Sequence, residues 1–254
     1  MLTMENQFNQ QFLSVLHREV RTPLGTIQGF LEILAQSKEL PESCRGWVDI
    51  IQKNTVELSA CLSQILEFTT IEAGQLLLQP RGFDIRDVMD TVMNSMNLKA
   101  RKHHTFLWSE TRDLRDSGLW SDAEKLQQIV ANLVANSVQS TRDGEICLRV
   151  SEVREGDWIR LDIIDTGSGI PRDFIPHLFE PFRCGPRDKS DPGSGAGLGL
   201  AVARKLALSL GGHLDLLRTG VEGSVFRLEV PRRMKKRDEV MDGLAAVQSE
   251  KALS

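Results

Sequence analysis

The sequence contains no apolar run of the roughly 20 residues that a membrane-crossing helix needs, and no leader of the secretory type. Both absences predict a cytoplasmic chain, either soluble in itself or the soluble part of something larger. Cysteine is sparse: Cys44, Cys61, Cys147 and Cys184 lie too far apart for a zinc pair or a disulfide scaffold, and reduced thiols are expected. Positive charge is not in excess either. A formal net charge of −4 excludes a nucleic-acid binder acting through a general basic field. What remains is 254 residues, comfortable for two domains with enough apolar content to bury a core.

The stretch Gly193-Ser-Gly-Ala-Gly-Leu-Gly-Leu200 places a glycine at every second position and runs into Ala201-Val-Ala-Arg-Lys-Leu-Ala-Leu. A flexible loop that hands over to a helix start offers backbone N–H groups and a positive dipole end, for which phosphate is the natural guest. The bland alternative is a turn before a helix.

Taken in order, Phe8, Phe12, Val15, Leu16, Val20, Leu24, Ile27, Leu31 and Leu34 form one stripe of a long amphipathic helix. Pro23 removes the N–H that would bond to Glu19, so a bend is expected beside the polar segment His17-Arg18-Glu19. A helical His among charges is either functional or simply solvated. Leu40-Pro-Glu-Ser43 breaks the helix. A second helix follows with Trp47, Asn54, Cys61 and Phe68, and again Ile51, Leu58 and Ile65, at heptad spacing. The pair reads as an antiparallel hairpin that dimerises into a four-helix bundle or, alternatively, packs on the rest of its own chain.

Beyond Gly74 the pattern turns mixed. Leu76 to Pro80 reads as a strand, and Asp84 begins a short helix. Residues 122–140 form a further helix with Leu126, Ile129, Val130, Leu133, Val134 and Val138 inward, and Asn132 and Asn136 four apart on a polar edge. Those amides are either surface groups or hard oxygen donors suited to Mg²⁺. Residues 145–150 and 158–164 alternate as paired strands. The second ends in Asp165-Thr-Gly-Ser-Gly-Ile-Pro171, an acceptor-only carboxylate suited to an exocyclic amine such as that of adenine, beside glycines that allow close approach. Phe179-Glu-Pro-Phe182, a charged glycine-rich segment, a helix from Gly199 and a closing strand over 223–231 complete the chain.

Asn132-Leu-Val-Ala-Asn136, Asp165-Thr-Gly-Ser-Gly169, Phe179-Glu-Pro-Phe182 and Gly195-Ala-Gly-Leu-Gly199 occur in the order and at the distances of the N, G1, F and G2 boxes of sensor histidine kinases. Arg21-Thr-Pro-Leu24 and Thr70-Ile-Glu-Ala-Gly74 resemble that family's dimerisation and phosphoacceptor domain. The resemblance covers about residues 8–231. It implies an α+β chain: a helical hairpin forming a dimeric four-helix bundle over 1–76, an α/β sandwich of the Bergerat or GHKL ATP-binding fold over 77–232, and a charged, flexible tail over 233–254. It assigns adenine to Asp165, with Gly167 and Gly169 beside it, and Mg²⁺ to Asn136. Asn132 falls where hydrolysing relatives of the fold carry a catalytic Glu, and an amide there suits a kinase. The loop 183–198 is implied to be a mobile lid over the triphosphate, and Phe182, Gly195, Gly197, Leu198 and Gly199 to belong to the nucleotide-binding set. Cofactors and partners follow: ATP, Mg²⁺, a second copy of the chain, and a response-regulator receiver domain.

The H box departs from the family. The phosphoacceptor position, three before Arg21, holds Arg18, which has no lone pair to attack phosphorus; His17 stands one residue earlier. One residue turns a helix by about 100° and raises it by about 1.5 Å. Glu19, the family's proton acceptor, and Thr22, its water-positioning residue, are displaced accordingly. Gln139 stands where a phosphate-contacting Lys is usual, Ser194 replaces a glycine, and Arg183 and Cys184 are out of register; Lys125, Arg183 and Arg187 are candidates for the missing charge. Three readings follow. One is a kinase that autophosphorylates on His17, helped by Glu19 and Thr22, and passes the phosphoryl group to a receiver Asp. The second is a degenerate kinase that binds ATP and a partner kinase or regulator. The third is an ATP-driven switch of the GHKL kind, which the missing Glu disfavours. The few residues given before the hairpin hold no sensory or membrane pattern, so the chain is expected either to be part of a longer receptor or to take its signal from a partner. The basic run Arg232-Arg-Met-Lys-Lys-Arg237 reads as a solvated extension or a weak contact with an acidic partner or membrane, and residues 239–251 as a marginal helix.

Overall fold

The computed structural model describes residues 20, 22–37, 40–185 and 197–234. They fall into two compact units: the chain up to Leu77 with Pro176–Val202, and Leu78–Ile175 with the chain from Ala203 onward.

In the first unit, helix α1 covers residues 22–36 and α2 covers Glu42–Glu72. The expected break is found: Pro41, with φ −57°, stands at the start of α2, where a missing N–H costs nothing. Gly74 ends α2 in the left-handed region at φ +67°. The N–H of Gln75 reaches Thr70 O at 3.0 Å and that of Gly74 reaches Ile71 O at 2.9 Å, a Schellman closure that satisfies two otherwise open carbonyls. The hairpin buries Leu24, Leu31, Val48 and Thr55, but Ile27, Phe30, Ile33, Trp47, Ile51 and Leu58 stay exposed. Two of the three residues in the Ile51, Leu58, Ile65 heptad line, Ile51 and Leu58, therefore face solvent in a single chain. The apolar residues before Val20, and the bend expected at Glu19, lie outside the described residues.

The second unit contains α3 (Ile85–Lys102), α4 (Ala123–Ser140) and strands β1 (Arg81–Asp84), β2 (Phe106–Arg112), β3 (Gly118–Ser121), β4 (Glu145–Val153), β5 (Trp158–Asp165), β6 (His213–Gly220) and β7 (Gly223–Pro231). Helix α5, Gly199–Ser209, is divided between the units. β1 and β3 pair antiparallel, and the other five strands form a sheet in the order β2-β4-β5-β7-β6 in which only β2 and β4 run parallel. Period-two patterning decides its faces. Ile146, Leu148, Val150, Ile159, Leu161, Ile163, Phe226 and Leu228 are buried on one side. Arg149, Asp162, Arg160, Arg227 and Glu229 take the other, joined across strands by ion pairs Arg149–Glu110, Arg227–Asp162 and Arg160–Glu229. The inward stripe of α4, Leu126, Ile129, Val130, Leu133 and Val134, is completely buried. Both helices are capped by side chains: Asp84 accepts from Arg86 N at 2.8 Å and Asp122 from Lys125 N at 3.0 Å.

The expected strand over 76–80 is absent; regular structure begins at Arg81, and the helix after Asp84 is long, 18 residues. Pro80 has no N–H for a ladder, whereas Arg81–Asp84 finds partners on β3. Strands β2, β3 and β6 carry no clean alternation of their own and are defined by their neighbours. No disulfide joins any of the four cysteines, and burial pushes the Cys147 thiol up to about 11. Among the described residues no helix is long and apolar enough to cross a membrane.

Candidate functional site

Asp165 ends β5 at the rim of the sheet, paired in register with Ile146 on β4 and Ser224 on β7. Only 3% of it is exposed. Its Oδ1 accepts two backbone bonds, from Gly167 N at 3.0 Å and Ser224 N at 3.1 Å; its Oδ2 accepts the Ser137 hydroxyl at 3.1 Å. Burial pushes its pKa above the usual carboxylate range, and the bonds from Gly167, Ser224 and Ser137 oppose that rise. Other buried acids are compensated differently. Asp162 is gripped by both arms of Arg227 at 2.8 and 2.9 Å, Glu229 by Arg160 at 2.8 Å, and Asp122 caps a helix. Asp165 has neither a cation nor a helix end among the described residues. Asp165 thus keeps acceptor capacity that its three hydrogen bonds do not use.

The turn after Asp165 is held from several sides. Ser168 N donates to Ser140 O at 3.1 Å, Ile170 N to Thr219 Oγ1 at 2.8 Å, and the Thr219 and Ser224 hydroxyls share a bond of 3.0 Å. Its glycines have specific reasons. A Cβ on Gly167 would lie 2.5 Å from Ser140 O, and Gly169 sits at φ +71°, where a Cβ would run into the backbone of Gly220. Asn132 and Asn136 lie one turn apart on α4, both half-buried. Their amide oxygens are hard donors. Among the described residues no group of three His, Cys, Asp or Glu has the makings of a metal site. Amide oxygens of this kind suit a cation that brings most of its own ligands, as Mg²⁺ does with water and phosphate.

The other expected residues, Lys125 on α4 apart, belong to the first unit. Phe182 is exposed and held at φ +61°, with its N–H donating to Gly197 O at 3.1 Å and its ring meeting Phe68 edge-on at 6.3 Å. Gly197 has φ +69°, Leu198 is completely buried, and Gly199 opens α5. Thr22 is exposed, its carbonyl accepting from Thr26 Oγ1 at 3.0 Å. His17, Arg18, Glu19, Arg187, Ser194 and Gly195 lie outside the described residues. Of the other candidates for the missing charge, Lys125 is half-buried with its Nζ 3.4 Å from Gln128 Oε1, and Arg183 reaches Glu180 at 3.2 Å. Sequence reasoning missed Ser137, Ser224 and Thr219. Ser137 alone had a signal: a hydroxyl inside the otherwise apolar row Leu126, Val130, Leu133.

A helical hairpin and a mixed sheet whose rim carries a buried acid, a glycine turn and a helix with paired amides define an α/β sandwich of the Bergerat, or GHKL, class. Comparison with known proteins agrees. Residues 121–234 match the family of histidine kinase-, DNA gyrase B- and HSP90-like ATPases, and residues 8–74 match the His Kinase A (phospho-acceptor) domain. The chain belongs to the sensor histidine kinases. It is 31% identical over 230 residues to the sensory/regulatory protein RpfC of Xanthomonas campestris pv. campestris, covering 89% of this chain and 32% of that protein. To the sensor histidine kinase RcsC of Escherichia coli it is 34% identical over 227 residues, covering 89% and 24%. It thus spans a third or less of the length of these relatives. Full-length ShkA, solved in complex with AMPPNP, superposes with a TM-score of 0.74 at 26% identity, over 87% of this chain and 45% of that one. The Acinetobacter baumannii histidine kinase AdeS shares the fold, with a TM-score of 0.61 at 22% identity over 86% of this chain and 98% of that one.

Proposed function

We propose that the chain is the catalytic core of a two-component kinase: it binds Mg-ATP, autophosphorylates on His17 and passes the phosphoryl group to an Asp of a response-regulator receiver. The observation that carries the reading is Asp165, buried, without a cation among the described residues, and holding acceptor capacity at the rim of the sheet. Its Oδ2 accepts the exocyclic amine of adenine while the Gly167–Gly169 turn lets the backbone approach the base. Asn136, with Asn132 one turn before it, holds magnesium through a side-chain oxygen; the ion's contribution is to neutralise phosphate charge. The glycine-rich segment with Gly195, Gly197, Leu198 and Gly199, together with Phe182, serves the phosphates through backbone N–H groups and the start of α5.

In the first step the neutral imidazole of His17 forms a nitrogen–phosphorus bond to the γ-phosphorus, and the bond to the β–γ bridging oxygen breaks, leaving ADP with the electron pair. The imidazole N–H proton leaves the ring; the family pattern implies Glu19 as its acceptor, two residues along and turned by about 200° on a regular helix. In the second step a receiver carboxylate takes the phosphoryl group and restores His17. Thr22, which the family pattern assigns to positioning water, lies five residues from His17 and is turned from that place by about 100°. The exposed apolar line of the hairpin, with Trp47, Ile51 and Leu58, pairs two chains into a four-helix bundle. As domains we assign 1–76 to dimerisation and phosphotransfer, 77–232 to nucleotide binding and 233–254 to a charged tail.

A second reading, a degenerate kinase that binds ATP and a partner kinase or regulator, is favoured by one observation: Arg18 occupies the register of the phosphoacceptor. Incubation with γ-labelled ATP separates the two. Acid-labile, alkali-stable label that disappears in His17→Gln supports autophosphorylation. Nucleotide binding without label, with Arg18→His gaining it, supports the degenerate kinase.

A further inference from the structure

We infer that Ser137 is a positioning residue for nucleobase selection: its hydroxyl holds Asp165 Oδ2 in the orientation that takes an amino group. This rests on Asp165 being the partner of the base. Ser137 is completely buried on α4, in the row of Leu126, Val130 and Leu133, where an apolar side chain would serve packing better. A buried hydroxyl needs a partner, and Ser137 Oγ donates to Asp165 Oδ2 at 3.1 Å.

The two carboxylate oxygens are held in different ways. Oδ1 is engaged by the backbone N–H groups of Gly167 and Ser224, which no side-chain substitution removes. Oδ2 is engaged, among the described residues, by Ser137 alone. A carboxylate oxygen accepts in two directions; the hydroxyl fills one and so fixes the other. A 6-amino purine presents an N–H there. A 6-oxo purine presents a lone pair against a negative oxygen and is rejected, because a buried polar group left against a like partner is costly. Ser137 therefore acts on discrimination at the 6-position and leaves sugar and phosphate binding untouched.

Calorimetry on the full chain tests this with two magnesium-bound probes: ADP and purine-riboside diphosphate, which lacks the 6-amino group. The wild type is expected to bind ADP more tightly. In Ser137→Ala, ADP affinity falls about tenfold, the size of one hydrogen bond to a charged group, while purine-riboside diphosphate is unaffected. The ratio between the two then approaches one in a variant that circular dichroism shows to be folded. Ser137→Cys, which keeps a weak donor of similar size, recovers part of the ratio and carries the same comparison if the alanine variant does not fold. Equal loss for both nucleotides, or loss for neither, overturns the inference while leaving the kinase reading intact. A wild type that binds neither nucleotide overturns the reading of Asp165 itself.

Discussion

The hairpin and the α/β unit put similar apolar content to different uses. In α4 every inward residue from Leu126 to Val134 is completely buried, whereas in the hairpin Phe30 is 63% exposed, Ile33 67% and Trp47 66%. A sheet with helices against it closes its own core; two helices alone have one shared seam, and everything beside that seam stays wet. The α/β unit closes its core within one chain, while the hairpin leaves an apolar line uncovered.

The largest expected effect is in the closed core. Leu133→Ala removes a completely buried side chain, and unfolding of the α/β unit, followed by chemical denaturation, should lose about 2–5 kcal/mol. Phe30→Ala in the hairpin of a single chain should cost under about 0.5 kcal/mol. Comparable losses would erase the contrast. Next, Ile51→Glu with Leu58→Glu places charges on the exposed heptad line. Sedimentation should show the bundle dimer weakened at least about 100-fold, with the unfolding of the α/β unit unmoved.

Asp165→Asn comes third and separates recognition from stability. Asparagine keeps an oxygen for Gly167 and Ser224 but turns Oδ2 into a donor, so Mg-ADP affinity should fall about 10- to 100-fold by calorimetry. Because burial raises the pKa of Asp165 in the folded state, the ionised carboxylate weakens the fold above that raised value, and protonation relieves it as pH falls toward the ordinary value of 3.8. Asp165→Asn should therefore unfold at a higher temperature than wild type at neutral pH, and its advantage should shrink on acidification. The opposite slope would mean that the hydrogen bonds outweigh burial. Gly74→Ala is a local effect: at φ +67° a Cβ costs about 1 kcal/mol, read as fraying of the end of α2 by hydrogen exchange.

Much of this architecture was legible beforehand. The α4 stripe, the break at Pro41, the start of α5 at Gly199 and the bounds of β7 all follow from periodicity and from glycine and proline chemistry, which act locally. The strand expected at 76–80 failed because pairing, not propensity, makes an edge strand, and the partner β3 lies far along the chain. The acid, amides and glycines of the site could be named because each is polar or conformationally special in its own right. Ser224 and Thr219 could not, since a hydroxyl in a strand has no distinguishing pattern until its neighbour across the sheet is known.

By itself, then, the order of residues determined the helices, the glycine turns, the family and the identity of the acid at the rim, because these depend on neighbours a few positions away. Only the tertiary structure decided that Asp165 is buried with no cation beside it among the described residues, that Ser137 is its side-chain donor and that the hairpin's apolar line stays exposed. Burial and hydrogen bonding are properties of segments brought together from distant parts of the chain, and no local pattern encodes them.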